Sequence, residues 1–92
     1  MKKEEVLAEG ILEHVGGKDN LRQLAHCMTR VRLALKDQTK ADIQALKQLD
    51  GVMGVIDDET LQIVVGPGTV NRVADHLSRK TGLAIEIGRA HV

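Results

Sequence analysis

One thiol and two guanidinium groups sit close together in the stretch HCMTRVRLAL, His26 to Leu35. There the chain's only cysteine, Cys27, is followed by Thr29, Arg30 and Arg32. Val31, Leu33 and Leu35 alternate with Arg30, Arg32, Ala34 and Lys36, which predicts a strand over 30–36. Both arginines then share one strand face, roughly 6.5–7 Å apart by the strand rise. A turn before that strand would present Cys27 to solvent. Guanidinium groups beside a thiol favour the thiolate, which is the nucleophilic form. The same pair can hold a tetrahedral dianion through paired N–H donors. Thr29 adds a hydroxyl, and the backbone amides of the turn add further donors. His26 could steer a proton or only fill space, and Met28 could rim a small interface or point into the core. A nucleophile, an anion clamp and a hydrogen-bonding loop suit a covalent phosphocysteine. Spacing alone leaves a plainer reading open. A single cysteine often packs as a small hydrophobe, and alternating arginines often protect a sheet surface or edge.

Other chemistries fit less well. Cysteine phosphatases need His-Cys, five residues and then Arg; here four residues separate Cys27 from Arg32, and Leu33 stands where the arginine is required. A thiol–disulfide enzyme would need a Cys-x-x-Cys pair, and there is none. His14, His26, His76 and His91 show no metal-ligand spacing, so no metal or cofactor is expected. Gly66-Pro67-Gly68-Thr69 opens a helix whose N-terminus could attract an anion. It lacks the lysine and the length of a nucleotide-binding loop, and reads as a plain turn and cap. Asp57, Asp58 and Glu59 read as a hydrated hairpin tip.

The elements around this stretch must come from an aliphatic core, because the 92 residues contain no Phe, Tyr or Trp. That absence removes the aromatic platforms on which single-stranded nucleic acids stack. Thirteen basic and thirteen acidic residues cancel, so no basic stripe argues for nucleic acid or an anionic membrane. A lone cysteine fits a reducing compartment. No apolar run reaches the ~20 residues of a membrane span. Leu7, Ile11 and Val15 predict a helix over 3–15, stopped by Gly16-Gly17. A weaker strand follows over 20–26, then the strand over 30–36. DQTKADIQALKQL, residues 37–49, reads as one helix capped by Asp37 or Thr39. Strands are expected over Val52–Ile56 and Leu61–Val65, then a helix capped by Thr69 and ended by Gly82. The expected fold is α+β, in the order α-β-β-α-β-β-α. It has two layers: a four-stranded antiparallel sheet with helices on one face and the arginines on the other face or at the sheet's end. Residues 1–85 form the expected domain. EIGRAHV, residues 86–92, reads as the translation of a synthetic adapter, a non-native tail.

HCMTRVRLAL resembles the phosphorylation-site stretch of the enzyme IIB domain of the bacterial sugar phosphotransferase system, glucose–sucrose class. That stretch has Cys, a variable residue, Thr, Arg, an aliphatic residue and Arg, matched here by Cys27, Thr29, Arg30, Val31 and Arg32. VGGKDNLRQL, LKQLDGVMGVI and LQIVVGPGTVNRVADHL also look like this family, so the resemblance runs from residue 5 to about residue 82. It implies that Cys27 takes a phosphoryl group from a phosphohistidine on a IIA protein or domain. Cys27 would then pass it to a sugar bound by a membrane-embedded IIC domain. Arg30 and Arg32 match positions implicated in the transfer, with His26, Met28 and Thr29 as loop support. The resemblance places the domain at the cytoplasmic face of the bacterial membrane, as the N-terminal part of a longer permease. Its clues to the sugar conflict. Ala25-His26 departs from the Asp-Ala of glucose-type members and looks like the β-glucoside, sucrose and trehalose branches. CMTR with VVGPG looks like N-acetylmuramic acid transporters. The alternative is a regulatory IIB-like module that binds a signalling partner without passing phosphate on.

Overall fold

A computed structural model describes residues 3–87. Helix α1 (Lys3–His14) leads through a 3-10 turn at Lys18–Asn20 into strand β1 (Leu21–His26) and then β2 (Arg30–Leu35). A second 3-10 turn, Gln38–Lys40, precedes the short helix α2 (Ile43–Lys47). Strands β3 (Gly54–Asp57) and β4 (Leu61–Val64), helix α3 (Thr69–Thr81) and strand β5 (Ile85–Ile87) complete the order.

The expectation of an α+β fold holds, with three α-helices, but the sheet is corrected. It has five strands, in the order β3-β4-β2-β1-β5, and it is mixed. Three pairings are antiparallel: β1 with β2, β2 with β4, and β3 with β4. The fourth is parallel, with Leu24 opposite Ile85 and His26 opposite Ile87. The chain direction explains it. Strand β4 runs the same way as β1, α3 carries the chain back, and β5 leaves in the direction of β4. The unit β4-α3-β5 is therefore a parallel crossover that passes over β2 and β1 to the far edge. Glu86 and Ile87, the first two residues of the expected tail, belong to this strand. Residues 88–92 lie outside the described residues.

The long helix expected over 37–49 is also corrected. Asp37 accepts from the Thr39 N–H and closes the 3-10 turn, and Asp42 accepts from the Ala45 N–H and starts α2 afresh. Each carboxylate satisfies amide donors locally, which competes with a continuous helix. The Asp42 N–H donates instead to the His14 carbonyl at 2.7 Å, binding this segment to the end of α1.

One apolar cluster holds the layers together. Leu24, Val31, Leu33, Leu61 and Ile63 face Ile11, Val73 and Leu77 of the helices, all with no exposed surface. Truncating any one of these leucines to alanine in such a core costs about 2–5 kcal/mol. On the opposite sheet face Arg32 is exposed, and Arg30, Gln62 and Val64 are half-buried. Among the described residues no helix is long and apolar enough to cross a membrane.

Candidate active site

Strands β1 and β2 are joined by a tight turn at one end of the sheet. His26 pairs with Val31, and the Cys27 N–H donates to the Arg30 carbonyl at 3.0 Å, leaving Met28 and Thr29 at the tip. Cys27 is a free, exposed cysteine, and Met28 beside it is 80% exposed. The reading of Met28 as a core residue is thereby overturned. The Met28 and Thr29 N–H groups make no hydrogen bond among the described residues, so two backbone donors beside the thiol stay free for an anion.

A second loop sits directly against this turn. The Val65 and Gly66 N–H groups both donate to the Thr29 carbonyl, at 2.9 and 3.0 Å. Gly66 (φ 92°) and Gly68 (φ 84°) then bend the chain into α3 through a conformation that side-chain-bearing residues rarely adopt. Gly68 rather than Thr69 occupies the cap position, and no side chain caps the helix. An open depression of about 410 Å³ lies between the two loops, lined by His26, Cys27, Met28, Pro67, Gly68, Val70 and Asn71. The thiol therefore shares its hollow with the first turn of α3, whose N-terminus has no side-chain cap and carries partial positive charge. A larger hollow of about 520 Å³ lies where α1 meets α3, lined by Lys3, Glu4, Arg72, Asp75, His76 and Arg79. Its charges pair with one another (Glu4 with Arg72, Asp75 with Arg79), and it lies away from the thiol.

The residues singled out from sequence divide into two groups. His26, Cys27 and Met28 line the depression. Arg30 and Arg32 project from the uncovered sheet face beside it, in register with Val64 and Gln62 of β4. Arg30 faces Cys27 across the turn, but its Nη1 donates to Gln62 Oε1 at 2.9 Å. Thr29 contributes its carbonyl as the anchor of the second loop. His26 Nδ1 lies 3.2 Å from the Cys27 carbonyl oxygen, so the ring borders the loop backbone. Sequence reasoning missed the depression's far wall, Pro67 to Asn71, and Gln62. The glycine-proline-glycine signal was present, but only the fold brings it to the cysteine. Gln62 has no local signal beyond its place opposite Leu61 and Ile63 in the strand alternation. No group of three or more metal-ligating side chains occurs among the described residues.

Comparison with known proteins bears on this geometry. Residues 9–42 match the family described as phosphotransferase system, EIIB. The chain is 53% identical over 85 residues to the PTS system MurNAc-GlcNAc-specific EIIBC components of Staphylococcus aureus strains USA300 and NCTC 8325. The match covers 92% of this chain and 18% of each relative, so the chain spans about a fifth of their length. A solved structure of one domain of the PTS system IIabc component from Clostridium difficile superposes with a TM-score of 0.82. It is 28% identical, covering 98% of this chain and 94% of that one.

Proposed function

This chain belongs to the EIIB family of the phosphotransferase system, and we propose that it carries a phosphoryl group on Cys27. The observation that carries the proposal is the exposed thiol in the β1–β2 turn, between loop amides unpaired among the described residues and the first turn of α3. The Cys27 thiolate attacks the phosphorus of a phosphohistidine on a IIA partner. The S–P bond forms as the P–N bond breaks, and the electron pair stays on the donor imidazole. In the second step a sugar hydroxyl attacks the same phosphorus. The O–P bond forms, the S–P bond breaks, the thiolate is regenerated, and the hydroxyl proton passes to water.

Phosphoryl transfer depends on positioning and charge stabilisation more than on covalent help from the protein. Arg30 and Arg32, on the sheet face next to the cysteine turn, supply fixed positive charge, and the loop amides and the α3 terminus supply oriented dipoles. His26 and Thr29 hold the loop backbone, and Met28 with Pro67 offers apolar surface to a partner. The sugar we assign is N-acetylmuramic acid or its N-acetylglucosamine disaccharide, on the strength of the Staphylococcus aureus relatives' names. The same relatives support a linked IIC domain that holds the sugar, with this domain at the cytoplasmic face of the membrane.

Incubation with a glucose-class IIA protein phosphorylated on histidine tests the reading. Wild type should gain one phosphoryl group that peptide mapping places on Cys27, and Cys27→Ser should gain none. Equal labelling of Cys27→Ser, or a label on another residue, would overturn it.

A further inference from the structure

We infer that Gln62 is a positioning residue for this transfer, holding the Arg30 guanidinium beside the Cys27 turn through a neutral acceptor; the inference rests on the phosphocysteine reading above. Strand β4 sets Gln62 opposite Arg32 and one step along the ladder from Arg30, on the sheet face that no helix covers. The bond from Arg30 Nη1 to Gln62 Oε1 is 2.9 Å long and joins two half-buried side chains. It uses one of the guanidinium's five N–H donors and leaves the rest for an incoming anion.

The chemistry of the acceptor matters. A carboxylate at position 62 would bind the guanidinium more tightly. Its charge would also cancel the cation that a phosphoryl dianion needs. An aliphatic side chain would leave the charge intact and the long arginine unheld. The amide fixes the fork and keeps its charge. Neither Arg30 nor Arg32 forms an ion pair among the described residues.

Single-turnover transfer from a histidine-phosphorylated glucose-class IIA protein provides the test. The variants are Gln62→Leu, Gln62→Glu, Arg30→Ala and the Arg30→Ala/Gln62→Leu double variant. Gln62→Leu should lower the rate at saturating donor about tenfold, the scale of one hydrogen bond to a charged group. The half-saturating donor concentration should stay unchanged. The double variant should be no slower than Arg30→Ala alone. Gln62→Glu should be slower than Gln62→Leu although it keeps a bond to Arg30. The Arg30 guanidinium resonances in a ¹⁵N spectrum should lose their resolved signal in Gln62→Leu and keep it in Gln62→Glu. Gln62→Met repeats the measurement if the leucine variant does not fold. A Gln62→Leu rate equal to or above wild type, a full multiplicative loss on top of Arg30→Ala, or an unimpaired Gln62→Glu would overturn the inference. These outcomes leave the Cys27 reading standing if wild type is labelled. A wild type that takes no label sinks the parent reading, while the guanidinium spectrum still reports on the Gln62–Arg30 bond.

Discussion

The role proposed for Cys27 rests on where the turn leaves it. The sulfur is exposed, the residue's N–H is spent on the Arg30 carbonyl, and the next two N–H groups make no hydrogen bond among the described residues. The cysteine and its arginines were legible in sequence because their relation is local: strand alternation over six residues fixes which side chains share a face. The rest of the site was not legible, because its contacts are long-range. Thr29 meets Val65 and Gly66 only through the pairing of β2 with β4. The GPGT stretch therefore read as a simple turn, and Gln62 as an ordinary polar strand residue. Arg30→Lys and Arg32→Lys should each slow phosphoryl transfer about tenfold or more without unfolding the domain, since a point charge replaces a planar fork. Stopped-transfer kinetics alongside thermal melts separate the two effects. Unchanged transfer in both variants would reduce the arginines to surface decoration.

At the scale of elements, short polar devices decide where helices and strands begin. Asn20 is buried at the entrance to β1. Its Nδ2 donates to the Val15 and Asp37 carbonyls at 2.7 and 2.9 Å, and its Oδ1 accepts from the Asp37 N–H at 2.9 Å. One side chain thus joins the end of α1 to the exit of β2. Asn20→Ala should destabilise the fold by about 1–3 kcal/mol, the cost of stranding buried partners, read from the urea midpoint. Asp37 lies next to it in this network. Its carboxyl is held below the usual aspartate range, first by the Thr39 hydroxyl and then by the Thr39 N–H. A carboxyl lowered on folding adds stability at pH above its unfolded value, and that stability is lost as pH falls through its folded value. Asp37→Asn should therefore be less stable than wild type near neutrality, and the difference should shrink through the acid range. A pH series of thermal melts checks the sign; a gap that widens toward low pH would contradict it. The same capping aspartates explain why the apolar pattern over 37–49 suggested one helix where the chain forms a 3-10 turn and a short α2. Periodicity records the buried side, while Asp37 and Asp42 decide where the backbone restarts.

The whole molecule places the proposed site at one end of a domain with zero formal net charge. Helices cover one sheet face, and the other carries two arginines that form no ion pair among the described residues, next to the cysteine turn. Local charge without net charge suits brief docking more than tight capture. Adding a glucose-class IIA protein should therefore perturb amide resonances at 26–32 and 66–71 and leave α1 and the outer surface of α3 unmoved. Perturbations centred on the charged hollow where α1 meets α3 would place the docking face elsewhere. The order of elements through α3 was readable from sequence, whereas the fifth strand was not. Leu83 and Ile85 alternate with Ala84 and Glu86, and Leu83 and Ile85 pack on the core. The run is short, and its end overlaps the residues read as a tail. Only the crossover direction of α3 shows that it must lie parallel to β1. The most direct measurement is a ³¹P spectrum of the domain after incubation with a histidine-phosphorylated IIA protein. The account predicts a single S-phosphate resonance coupled to the Cys27 β protons and absent from Cys27→Ser. A phosphoramidate signal coupled to an imidazole such as that of His26, or no incorporated phosphorus at all, would contradict it.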